Sequence, residues 1–192
     1  SSAPKVIRSR ETIQEGTASV KLEASGEREE LYYVYAKGKL YDVCTAINTA
    51  VKTADENLGV VVDGNLQNIW ERGNKVTKLT LDTSTFPDVI RNGSMDVAAI
   101  EEGTGRKALD LSGCTLDSVL YYVSEGTPVL AKTPITDQTP QGIVIIAGYD
   151  EYNTILMNPG ETETFYYGIN DSTALFEEAG NVFMTYWDPI SD

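Results

Sequence analysis

The chain has 192 residues, 41% hydrophobic and 23% charged, with 29 acidic against 15 basic side chains and a formal net charge of −14. That is enough apolar material for a real core, and the charge excludes phosphate-backbone binding, which needs clustered Lys and Arg to displace counterions. No apolar run approaches the roughly 20 residues that span a bilayer, and no basic-then-apolar leader opens the chain, so it reads as soluble and not itself membrane-spanning, although a longer precursor can lose a leader or anchor.

Histidine is absent. Ser–His–Asp and Cys–His catalytic sites are therefore excluded within this chain, because His is the usual proton acceptor for both nucleophiles. The two cysteines, Cys44 and Cys114, are too few for a disulfide framework and lack metal-ligand spacing. A single bridge between them stays open at this point, since sequence cannot show whether they meet. No Asp-x-Asp-x-Asp-Gly calcium loop is present either. The expectation is no metal and no cofactor.

In chain order, residues 1–30 carry few large apolar groups and read as a lead-in, with one short strand at 18–22 where Val20 and Leu22 alternate with polar neighbours. Residues 31–36 and 39–42 predict a hairpin turning at Lys37-Gly38. A helix is then expected with Asp42 as its cap. Its apolar face is Val43, Ala46, Ile47, Ala50, Val51, Ala54 and Leu58, and Gly59 stops it. Strands at 59–62 and 67–70 flank a turn at Asp63-Gly64-Asn65, and Trp70 is expected under the helix. This gives a β-β-α-β-β unit over 31–74.

Beyond it, residues 76–81 alternate as a strand. Phe86-Pro87-Asp88 starts a short helix ended by Asn92-Gly93, and 95–100 predict another. Residues 101–105 read as a loop and 108–111 as a strand. Thr115 or Ser112 caps a helix with a face of Leu116, Val119, Leu120 and Val123, ended by Gly126. Strands follow at 127–131, 142–147, 154–157, 164–167 and 182–187. A polar loop occupies 134–141, a turn lies at Gly148-Tyr149-Asp150, and a helix runs from a cap at 170–172 to Glu178. The class is α+β: a small β-β-α-β-β unit, then an antiparallel sheet with flanking helices.

Three phrases in the second half carry a resemblance: Gly126-Thr-Pro-Val-Leu130, Gly142-Ile-Val-Ile-Ile-Ala-Gly-Tyr-Asp150 and Thr154-Ile-Leu-Met-Asn-Pro159. In this order the stretch 111–187 resembles the second half of bacterial papain-like peptidases of the double-glycine-leader (bacteriocin-processing) type. The resemblance implies a papain-like domain over 75–192, with a Cys nucleophile, a His base and an Asp or Asn orienter. The base would stand at Gly142 or Gln141, where neither residue accepts a proton near neutral pH. The orienter maps to Asn158. The nucleophile would lie within 76–100, which holds no cysteine. The resemblance thus implies the fold without the chemistry, and a vestigial cleft able to hold a peptide. The phrases Tyr33-Val-Tyr35, Asp55-Glu-Asn-Leu-Gly-Val-Val-Val62 and Ile69-Trp-Glu-Arg-Gly73 are similar to neighbours of such domains in large surface proteins of anaerobic Gram-positive bacteria. That resemblance implies an extracellular or cell-surface setting.

Among candidate residues, Cys44 falls at the second position of the expected helix, where the macrodipole lowers a thiol pKa, but it also completes an apolar face. Cys114 reads as packing. Asp150, Glu151, Glu161 and Glu163 gather near two turns; such pairs can run glycoside hydrolysis, and turns of acidic proteins collect them anyway. Tyr32, Tyr33, Tyr35 and Tyr41 crowd the first hairpin, as ligand-stacking rings or as cross-strand pairs. Gly103-Thr-Gly105 and Gly113 lack the strand, Lys and helix context of a phosphate loop. Two functions compete. One is a non-catalytic extracellular or cell-surface domain with a degenerate cysteine-peptidase-like fold, binding a peptide or protein or serving architecture. The other is a cysteine-dependent hydrolase or transferase using Cys44 without a histidine base.

Overall fold

A two-residue turn starts the first sheet. Lys37 and Gly38 both take positive φ, 57° and 77°, the geometry whose twist matches a hairpin. They join β1 (Tyr32–Ala36) to β2 (Lys39–Cys44), and β3 (Val60–Val62) and β4 (Asn68–Glu71) complete an antiparallel sheet in the order β2-β1-β3-β4. This computed structural model describes residues 30–72 and 77–187. The strand expected at 18–22 lies outside the described residues, as does all of the lead-in except Glu30.

The helix α1 (Ile47–Glu56) lies over one face of this sheet and buries Ile47, Ala50, Val51 and Ala54. It starts later than the apolar spacing predicts. Asp42 and Cys44 belong to β2, where Val43 pairs with Tyr33 and Cys44 with Tyr32. The Asp42 carboxylate accepts from its neighbour Val43 N, not from a helix turn, and Ala46 precedes the helix without a side-chain cap. The ladder therefore took two residues that the period assigned to the helix. The far end also differs. Leu58 adopts the left-handed conformation at φ 56° and is 78% exposed, so it does not extend the buried face. Gly59 serves another purpose: a Cβ there would sit 2.5 Å from the Tyr35 carbonyl, so a side chain would push β3 off β1.

The second sheet has seven strands. Six run in the order β10-β9-β8-β7-β11-β6, and β5 pairs separately with β8. They are β5 (Leu79–Thr80), β6 (Ala108–Asp110), β7 (Val129–Lys132), β8 (Ile143–Tyr149), β9 (Asn153–Met157), β10 (Thr164–Gly168) and β11 (Phe183–Tyr186). All its pairings are antiparallel. Strand β8 extends through the turn expected at Gly148-Tyr149. A register shift between Ile146 and Gly148 lets it continue, and Gly148 has no room for a Cβ beneath the Leu79 carbonyl of β5. The turn is displaced to Asp150, whose carboxylate accepts from Tyr152 N and Asn153 N.

Helices cover both faces of this sheet. On one side lie α2 (Asp88–Arg91) and α3 (Val97–Thr104), burying Ile90 and Ile100 in an apolar cluster with Leu130, Ile145, Ala147 and Met157. Residues 101–104, expected as loop, are helix. Asp96 caps α3 by accepting from Ala99 N, and Gly105 ends it at φ 68°. On the other side lie α4 (Leu116–Ser124) and α5 (Ile169–Glu178), over Val129, Val144, Ile146, Leu156 and Phe183. Thr115 caps α4 as expected. Gly168, rather than residues 170–172, precedes α5. The Ile-Val-Ile-Ile run is thereby explained: a strand packed on both faces has no polar alternation.

The cluster under α4 also contains Val34, Val61 and Trp70 of the first sheet and Val51 of α1. Trp70 faces inward on β4, opposite Val61. Its indole Nε1 donates to the Ser118 carbonyl of α4 at 2.9 Å, and the Tyr122 hydroxyl donates back to the Ile69 carbonyl at 2.9 Å. Two buried hydrogen bonds therefore join β4 to α4, each stabilising by about 1 kcal/mol.

Candidate functional site

The two thiols occupy packed positions. Cys44 ends β2 and faces α1, buried. Burial, reinforced by the adjacent Asp42 carboxylate, pushes its thiol up to about 12. It has no helix N-terminus behind it, so the macrodipole that would lower its pKa is missing. Cys114 stands one residue before the Thr115 cap, with Sγ 3.6 Å from the Asn48 carbonyl. Burial raises it to about 12 as well; Lys52 works against this, and Asp55 and Asp110 with it. Both cysteines are free thiols. At pH 7 a thiol with a pKa near 12 is ionised on the order of one part in 10⁵, which leaves almost no nucleophile.

Gly142 and Asn158 flank the β8/β9 pair at one end. Gly142 immediately precedes β8, and Asn158 immediately follows β9, with Ile145 opposite Met157 fixing the register. The loop 134–141 folds over this end. Its Gln138 carbonyl accepts from Asn158 Nδ2 at 2.9 Å, and Gln141 Nε2 donates to the Pro159 carbonyl at 3.0 Å. Asn158 is 7% exposed, and its Oδ1 has no hydrogen-bond partner among the described residues. Gly142 holds φ 70°, and a Cβ there would meet the Thr133 carbonyl at 3.3 Å and Ile135 Cγ1 at 3.4 Å. The position is thus one that backbone geometry reserves for glycine. The surroundings of Gly142 and Asn158 come from residues 133–141, those of the thiols from β2, α1 and the approach to α4.

The other sequence candidates separate as follows. Asp150 forms a turn, and the Tyr152 amide leads the interactions that hold its carboxyl below the usual range. Glu151, Glu161 and Glu163 are exposed. Gly103-Thr-Gly105 lies at the C-terminal end of α3, where the carbonyls repel phosphate. Among the described residues no group of three or more His, Cys, Asp or Glu side chains is arranged to hold a metal ion, and no helix is long and apolar enough to cross a membrane.

The tyrosines divide by face. Tyr32 is buried towards α1. Tyr33 and Tyr35 point to the opposite face, where they pair across strands with Val43 and Leu40 on β2 and with Val62 and Val60 on β3. Tyr35, Leu40 and Val43 remain 40–44% exposed there. Tyr41 falls at the hairpin irregularity, with Lys37 Nζ 5.3 Å from its ring centre.

Sequence reasoning missed a shallow open cleft between β4 and α4, lined by Asp55, Trp70, Glu71, Arg72, Asp117 and Tyr121 among others. Arg72 Nη2 pairs with Asp55 Oδ1 at 2.5 Å on its rim. The cleft joins three segments distant in the chain, so no local pattern announces it.

No family model matches the chain, and no curated protein matches it. Among solved structures, one described as a C39-like peptidase from Bacillus anthracis is similar, at 17% identity and a TM-score of 0.41, over 50% of this chain and 58% of that one. This chain therefore spans less than two thirds of that protein's length.

Proposed function

We propose that this chain is a non-catalytic domain whose second half is a degenerate cysteine-peptidase-like fold, serving to bind a peptide or protein partner or to build a larger surface protein. One observation carries the non-catalytic reading: the chain has no histidine, and both of its thiols are buried with pKa values raised to about 12. Nucleophile and base act as a unit, and here the base is missing and the nucleophile is protonated. The peptidase-like part rests on the order of the three phrases around β7, β8 and β9, with Asn158 at the orienter's place. The extracellular or cell-surface setting rests on the likeness of residues 31–73 to segments of Gram-positive surface proteins; accessibility of the parent protein to protease on intact cells tests it.

The test of activity is direct. The native protein is expected to show no turnover of generic peptide or ester substrates above background, and no rapid alkylation by iodoacetamide below pH 8. Turnover that disappears in Cys44→Ala or Cys114→Ala would establish a cysteine-dependent enzyme instead. The folded-state pKa of each thiol lies above its unfolded value, so the folded state holds these protons more tightly. The resulting stability is complete below about pH 8.5 and is lost as the pH rises towards 12. The loss of stability between about pH 8.5 and 12, measured relative to each protein's own stability at pH 7, should therefore be smaller when either thiol is replaced by alanine.

A further inference from the structure

We draw no further inference here: the strongest candidate, the uncovered face of the four-stranded sheet where Tyr33, Tyr35, Leu40, Val43, Val60 and Val62 align, carries nothing because nothing in the structure shows what covers it.

Discussion

Alternate residues of β8 enter two different apolar clusters: Val144 and Ile146 lie under α4 and α5, while Ile145 and Ala147 lie against the cluster of α2 and α3. The four-stranded sheet is built otherwise. Its inner residues Val34, Val61 and Trp70 pack under helices, whereas Tyr35, Leu40 and Val43 on the other face stay 40–44% exposed. Both sheets are antiparallel, and both are rich in Val, Ile and Tyr. Composition alone therefore does not tell a strand covered twice from one covered once. What differs is the number of helices available: four around the seven-stranded sheet, and α1 with one edge of α4 for the smaller one.

The comparison can be broken most severely at β8. Ile146 is fully buried in the sheet with two covered faces, so Ile146→Asp should cost more than about 4 kcal/mol, through an unpaired buried charge. Chemical denaturation or soluble yield reads this out, and a folded variant of near-native stability would mean that this face is not packed. Next comes the seam between the sheets. Trp70→Phe keeps an aromatic ring but removes the donor to the Ser118 carbonyl, and should cost about 1–3 kcal/mol. The remaining Trp187 fluorescence and the circular dichroism should still report one transition. Two separated transitions would show that the two sheets unfold independently.

Gly142→His places a side chain at φ 70° against the Thr133 carbonyl, at a cost of about 1–2 kcal/mol. Peptide hydrolysis should remain at background in that variant, since a base alone has no thiolate to activate. Measurable turnover would refute the reading of this end as vestigial. The smallest effect is expected on the uncovered face. Leu40→Thr should change stability by less than about 0.5 kcal/mol, as at an ordinary surface position. A loss above about 1.5 kcal/mol would show that this face is packed in solution.

Several elements were legible because their signals are local. Gly38 takes a positive φ at no steric cost between two alternating apolar runs, which marks 37–38 as the turn, and Thr115 supplies a hydroxyl where α4 needs an acceptor. The buried face of α1 is likewise written in the spacing of Ile47, Ala50, Val51 and Ala54. The start of that helix was not legible. Val43 and Cys44 satisfy a helical period equally well, and only the ladder to Tyr33 and Tyr32 decides that they are strand. The extension of β8 to Gly148 and Tyr149 was hidden for the same reason, because it is made by ladders to β5 and β9.

For the candidate site the division is similar. The missing histidine is a property of the sequence, and it removes histidine-dependent thiol and hydroxyl catalysis within this chain whatever the fold. Whether a thiol is reactive depends on what surrounds it. Cys44 reads as helix-activated until β2 is seen to claim it, and its buried place beside Asp42 then raises its pKa. The contact of Asn158 with Gln138, and the meeting of Asp55, Arg72 and Asp117 in one cleft, join residues far apart in the chain. Periodicity and capping are set by neighbours a few residues away, so the sequence carries them; burial, charge environment and clefts arise from long-range packing, and only the tertiary structure decides them.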